Sequence, residues 1–143
     1  MNVSSVVMVM RMEMEIVGVN KNYIKGSNWE RELLDKLKDR GYDGLRSAGS
    51  HSSVDVIVWN EDCVYLIQCK TSKEENFNLS NLIWEDSVRE LTGLSDNLRK
   101  VLCIKQYRKI TTLIWSFKSG EMNWVEADIF NLNKLTRKGK TNE

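Results

Sequence analysis

Apolar and polar positions follow two different rhythms along this chain. From Trp29 onward, Leu33, Leu34 and Leu37 recur at intervals of three and four with charged residues between them, the pattern of a helix with one buried stripe. Ser27 followed three places later by Glu30 has the form of a capping box, and Gly41 is a natural helix stop. The spacing predicts a helix over about residues 28–40. A short extended segment follows at Tyr42–Arg46, and then a small polar loop, Ser47-Ala48-Gly49-Ser50-His51-Ser52-Ser53.

The rhythm then changes. Val54–Trp59 and Cys63–Lys70 are nearly continuous runs of β-forming residues, joined by Asn60-Glu61-Asp62, which reads as a hairpin turn. Runs without alternation predict strands covered on both faces. Ser80 reads as a second N-cap, with Leu82, Ile83, Val88 and Leu91 carrying a helix to about Leu91. After the Gly93 break, a further helix is expected over Asp96–Tyr107. Thr111–Phe117 and Met122–Ala127 read as strands joined by a turn at Lys118-Ser119-Gly120-Glu121. The order predicts one α/β domain, a central sheet flanked by helices, over residues 23–132. Residues 1–22 read as an N-terminal extension, and 133–143 as a frayed basic tail carrying Lys134, Arg137, Lys138 and Lys140.

Composition narrows the picture. At 143 residues, 41% apolar and 29% charged, the chain has the balance of a soluble globular domain. The apolar run Val6–Met10 is too short to cross a membrane and has no basic region before it. The single histidine, His51, and the three cysteines, Cys63, Cys69 and Cys103, lack the spacing of a zinc site. They read as free thiols of a reducing, cytoplasmic setting. A net charge of +1 does not by itself argue for nucleic acid. Local charge matters more, because an acidic site can cancel a basic face.

The chemistry is concentrated in Asp55 and in Gln68-Cys69-Lys70. Alternate residues of a strand share a face, so Gln68 and Lys70 point the same way, and pairing through the short turn brings Asp55 toward them. A carboxylate, an amide oxygen and an ammonium at one end of a buried sheet require compensation. They are also the parts that phosphodiester cleavage asks for: oxygen ligands for Mg²⁺ and a lysine beside an activated water. On this reading Asp55 and Gln68 are metal ligands and Lys70 serves the nucleophilic water. In isolation D-x₁₂-Q-x-K is a weak pattern. An Asp at a strand start is often a cap, and a Gln-x-Lys at a strand end is often a solvated exit from the core.

The sequence as a whole resembles the archaeal Holliday junction resolvases. The resemblance runs through Lys25-Gly26, Glu30-Arg31-Glu32-Leu33, Gly41-Tyr42, Arg46-Ser47-Ala48-Gly49-Ser50, Val54-Asp55-Val56 and Gln68-Cys69-Lys70, in order and at similar spacing, over about residues 25–73. It implies a restriction-endonuclease-like (PD-(D/E)xK) fold with a central mixed β-sheet flanked by helices. It further implies a homodimer, Mg²⁺ or Mn²⁺ as cofactor, no nucleotide cofactor, and paired nicks in four-way DNA junctions. The resemblance adds Glu30 to the metal ligands Asp55 and Gln68, gives Lys70 the catalytic lysine position, and assigns Arg31 and Arg46 to DNA. The family's loop serine corresponds to Ser47 or Ser50; Ser50 is carried as catalytic and Ser47 as DNA-binding. Glu30 has a rival role in the Ser27 capping box, and both arginines can be read as solvated surface charges.

The principal departure is Gln68, where the family carries an acid. An amide oxygen ligates a hard cation without adding charge, which predicts weaker metal binding and leaves a DNA-binding, poorly cleaving homologue as an alternative. A restriction- or repair-type nuclease on duplex DNA is another. Arg99, Lys100, Lys105, Arg108 and Lys109 cluster around the expected Asp96–Tyr107 helix, facing DNA or solvent. Of the tryptophans, Trp29, Trp59, Trp115 and Trp124 are expected in the core or at an interface, and Trp84 with Leu82 and Ile83 in an apolar dimer patch.

Overall fold

The computed structural model describes residues 21–47, 52–73 and 78–132, with side chains from Asn28 onward. Residues 1–20 of the proposed 1–22 extension, Ser50 in the polar loop and the 133–143 tail lie outside them, while residues 21 and 22 open the first helix and not an extension.

Helix α1 spans Lys21–Asp39 and buries Trp29, Leu33, Leu34 and Leu37, the stripe expected from the spacing. It ends where Gly41 takes φ +95°. There the Tyr42 N–H donates to Leu37 O at 3.1 Å and the Gly41 N–H to Lys38 O at 3.1 Å, the paired bonds of a glycine-terminated helix. The helix begins earlier than the sequence suggested. Ser27 therefore lies inside it and is not an N-cap, and the capping-box role proposed for Glu30 falls away.

Six strands form one mixed sheet in the order β1 (Asp43–Arg46), β2 (Val56–Trp59), β3 (Val64–Ser72), β4 (Arg99–Gln106), β5 (Lys109–Lys118) and β6 (Glu121–Ala127). Every neighbouring pair is antiparallel except β3 and β4. That parallel pair is joined by two short helices, α2 (Leu79–Leu82) and α3 (Asp86–Thr92), as a crossover connection requires. The cap of α2 is Asn78, whose side chain accepts from the Ser80 N–H, so Ser80 is the first-turn residue and not the cap.

The segment expected to be a second helix, Asp96–Tyr107, contains strand β4. Its residues Lys100–Ile104 are all buried. Spacing could not separate the two, because a strand covered on both faces shows no alternation. The β-branched content and the open partner edge of β3 decide it. Two-residue turns close the remaining hairpins, at Tyr107-Arg108 and at Ser119-Gly120, the latter with φ 54° and 86°.

The sheet is sandwiched. Trp29, Leu33, Leu37, Tyr65, Ile67, Val101 and Cys103 belong to the core on the α1 face. Leu82, Val88, Leu102 and Ile104 on one side, and Val54, Leu66 and Leu91 on the other, fill the α3 face. Lys100 is not on a DNA-facing surface: it is 2% exposed, and its Nζ donates to Thr92 O and Leu94 O, tying β4 to the end of α3. Leu82 is likewise core, which leaves Trp84, 71% exposed, without it in the expected apolar patch. Trp29 is buried, and Trp115 and Trp124 are half-buried with their rings 5.2 Å apart. Among the described residues no helix is long and apolar enough to cross a membrane.

Candidate active site

The site is built where β2 enters the sheet. Val54 and Ile57 both pack on the α3 face although three residues apart, and Val56 between them packs on the α1 face. Strand alternation is therefore broken at Asp55, as at a bulge, which re-aims one side chain. The Asp55 N–H donates to Ile67 O at 2.9 Å, and Asp55 Oδ2 accepts from the Cys69 N–H at 2.8 Å. The carboxylate is thus fixed to the β3 backbone between Gln68 and Lys70.

Those two residues share the α3 face, as alternation predicts: their register partners are Leu102 and Ile104, both core residues of that face. Gln68 is 3% exposed, and its Oε1 accepts no hydrogen bond. A buried, donorless amide oxygen is costly unless something else occupies it. Lys70 is half-buried, with its Nζ 3.1 Å from Glu85 Oε2. Burial raises the Asp55 carboxyl above its usual range; the Cys69 N–H bond opposes this, Glu30 adds to it, and Lys70 and Arg46 offset it. That balance places Glu30, Asp55, Lys70 and Arg46 in one electrostatic neighbourhood.

Glu30 approaches from α1. Its Oε2 accepts from Arg46 Nη2 at 3.1 Å and from Arg46 Nε at 3.3 Å, both side chains largely covered. Arg46, at the end of β1, is therefore paired with Glu30 and is not a solvated charge. Arg31 is exposed and stands apart from this pairing. Ser47 anchors the loop base, its Oγ donating to Val54 O at 2.6 Å and its N–H to Asp55 O at 2.9 Å. The structure thus gathers Glu30, Arg46, Ser47, Asp55, Gln68 and Lys70. It adds Glu85, which the sequence reading missed because nothing local distinguishes a Glu preceding a short helix.

The donor set suits a hard cation in an unusual way. Among the described residues no three His, Cys, Asp or Glu side chains are gathered to hold a metal. The candidate oxygens are two carboxylates, Glu30 and Asp55, which feel one another's charge, and the donorless Gln68 carbonyl next along the strand from the N–H that holds Asp55, an all-oxygen set of the kind Mg²⁺ accepts. Cys103 offers no thiolate: it is buried with its thiol pushed up to about 12, which keeps it protonated.

A carboxylate at a strand entrance, an amide and a lysine on a mixed sheet flanked by helices fit an α/β nuclease-like fold. The crystal structure of Archaeoglobus fulgidus Hjc, a Holliday junction resolvase, has the same architecture, with a TM-score of 0.52 at 20% identity over 75% of this chain and 93% of that one. The family model for archaeal Holliday junction resolvase (Hjc) matches residues 21–141, and the chain belongs to that family. The crossover junction endodeoxyribonuclease Hjc of Methanocaldococcus jannaschii is 35% identical over 74 residues, 52% of this chain and 52% of the relative. The matched segment thus spans about half the length of that curated relative.

Proposed function

We propose that this chain is an endodeoxyribonuclease that introduces paired nicks into four-way DNA junctions, acting with Mg²⁺ or Mn²⁺ as a homodimer. The observation that carries the reading is the Asp55 carboxylate held on the β3 backbone between a donorless Gln68 oxygen and Lys70. Family membership directs it to junctions. Glu30, Asp55 and Gln68 are the residues that would hold the cation, which supplies charge neutralisation at the phosphate and an acidified water.

The chain's own groups do the rest. The Cys69 N–H fixes the Asp55 carboxylate before substrate arrives, so no reorganisation is needed at the moment of reaction. Lys70, paired with the Glu85 carboxylate, orients the attacking water and stabilises charge developing at the phosphate. Arg46 holds Glu30 in place and presents a guanidinium suited to phosphate, while exposed Arg31 extends that contact along the backbone. Ser47 fixes the base of the loop that carries Ser50, assigned to the same site. The face around Trp84, 71% exposed, supports the second copy.

The test is cleavage of an end-labelled four-way junction beside the matching linear duplex, with and without Mg²⁺ or Mn²⁺, with Asp55→Ala as control. Metal-dependent paired nicks in the junction alone, lost in the variant, are expected. Equal cleavage of the duplex would replace the reading with a general nuclease. Junction binding without cleavage would make the chain a binding module.

A further inference from the structure

We infer that Glu85 is a positioning residue for Lys70, supplying from α3 the counter-charge that the neutral residue at position 68 does not give. The inference rests on the nuclease reading above. Lys70 is half-buried, and the residue sharing its strand face toward the sheet interior is Gln68, which carries no charge. Asp55, the carboxylate at the entrance to the neighbouring strand, spends Oδ2 on the Cys69 N–H. An ammonium in that setting needs an anion, and Glu85 Oε2 stands 3.1 Å from Nζ.

Local helix chemistry does not explain where the Glu85 side chain lies. Glu85 occupies the N-cap position of α3 with extended backbone (φ −63°, ψ 143°), yet its side chain makes no capping bond. It turns back across the sheet to Lys70 instead. The Lys70 pairing therefore joins the crossover helix to the catalytic strand and holds Nζ in one place. A pair whose side chains are 30% and 50% exposed adds little to stability, so a large kinetic effect cannot be attributed to loss of the fold.

The experiment measures single-turnover nicking of a preassembled four-way junction by wild type, Glu85→Gln, Glu85→Asp, Lys70→Gln and the Glu85→Gln/Lys70→Gln pair. Mn²⁺ affinity by calorimetry and junction affinity in Ca²⁺ are measured in parallel. A misplaced catalytic group costs about ten- to a hundredfold, so Glu85→Gln should slow nicking by that factor with both affinities and the melting temperature unchanged. Glu85→Asp should recover part of the rate, and Glu85→Gln should add nothing in the Lys70→Gln background. An unchanged rate, a further loss in that background, or a matching loss of Mn²⁺ affinity would each overturn the inference, the last by making Glu85 a ligand. The pairing is also read without substrate, as a protected Lys70 ammonium signal in ¹H–¹⁵N spectra that Glu85→Gln removes. If wild type nicks nothing while that signal behaves as expected, the proposed function fails and the contact is a surface ion pair only. If the junction is nicked but the signal survives Glu85→Gln, the inference alone fails.

Discussion

Changing Gln68 to Glu separates two consequences of the same atom. The Gln68 side chain is 3% exposed and its Oε1 accepts no hydrogen bond. A carboxyl placed there faces the same lack of donors and lies beside Asp55. A carboxyl there must either bury a charge beside Asp55 or be held protonated, a penalty of at least roughly 1–3 kcal/mol, so the metal-free variant should melt several degrees lower, at about 2–8 °C per kcal/mol for domains of this size range. With a divalent cation the sign reverses. Two unit charges about 4 Å apart interact by about 4 kcal/mol at an effective permittivity of about 20, and desolvating the new carboxylate takes back a large share. A net gain of about 1.4–2.8 kcal/mol corresponds to tenfold to hundredfold tighter binding. Titration calorimetry with Mn²⁺ at fixed ionic strength gives the affinity, and melting curves with and without Mn²⁺ give the stability. The expected signature is a crossing: the variant less stable than wild type without the ion and more strongly stabilised by it. Equal affinities and equal metal-induced shifts in the two proteins would refute Gln68 as a ligand.

Other expectations follow from particular contacts. Lys100→Met leaves the carbonyls of Thr92 and Leu94 without their buried donor and should lower unfolding free energy by roughly 2–4 kcal/mol in urea titration; a loss under about 0.5 kcal/mol would show that water replaces the ammonium there. Gly44→Ala puts a Cβ 2.5 Å from Ile57 O and 2.8 Å from Val58 Cγ1, and because the first of these is backbone, a destabilisation of about 1–3 kcal/mol is expected, read in the same titration. Asp128 caps the short 3₁₀ turn Ile129–Asn131 by accepting from the Phe130 N–H at 2.9 Å, which with Asn131 holds its carboxyl below the usual range. Asp128→Ala should cost about 1 kcal/mol near neutral pH. A lowered folded-state value gives stability that is present above the ordinary carboxylate range and lost as pH falls, so the gap between wild type and variant should narrow between about pH 5 and pH 2 in melting curves. A constant gap would mean that the charge is not involved.

The strand carrying the candidate metal ligand was legible for a physical reason. Gln68 and Lys70 were placed on one face by alternation alone, and Asp55 was brought to them by the short turn. What the sequence could not show is how Asp55 gets there. The bulge that turns its carboxylate onto the Cys69 N–H is a property of the β2–β3 pairing and leaves no mark in Val54-Asp55-Val56. Glu30 was located by its order in the motif, but its partner was not. The Ser27–Glu30 spacing suggested a cap, whereas in the fold Glu30 meets Arg46, 16 residues away along the chain. Arg46 was assigned to DNA by resemblance, and its embrace of Glu30 emerges only when β1 is laid beside α1.

The sequence by itself determined the first helix stripe, its glycine stop, the two hairpins and the run of chemistry-bearing residues, because each depends on interactions between residues close along the chain. Tertiary structure decided the rest. Arg99–Gln106 has no rhythm that distinguishes a buried helix from a buried strand, and it became β4 because the β3 edge offered a parallel partner and both faces were covered. Lys100, one of three basic residues in that stretch by sequence, is internal because its chain reaches two carbonyls at the end of α3. Glu85 meets Lys70 only because the crossover returns α3 over the strand that carries it. Local periodicity reports which residues seek burial; which charged groups face one another depends on how the layers are stacked.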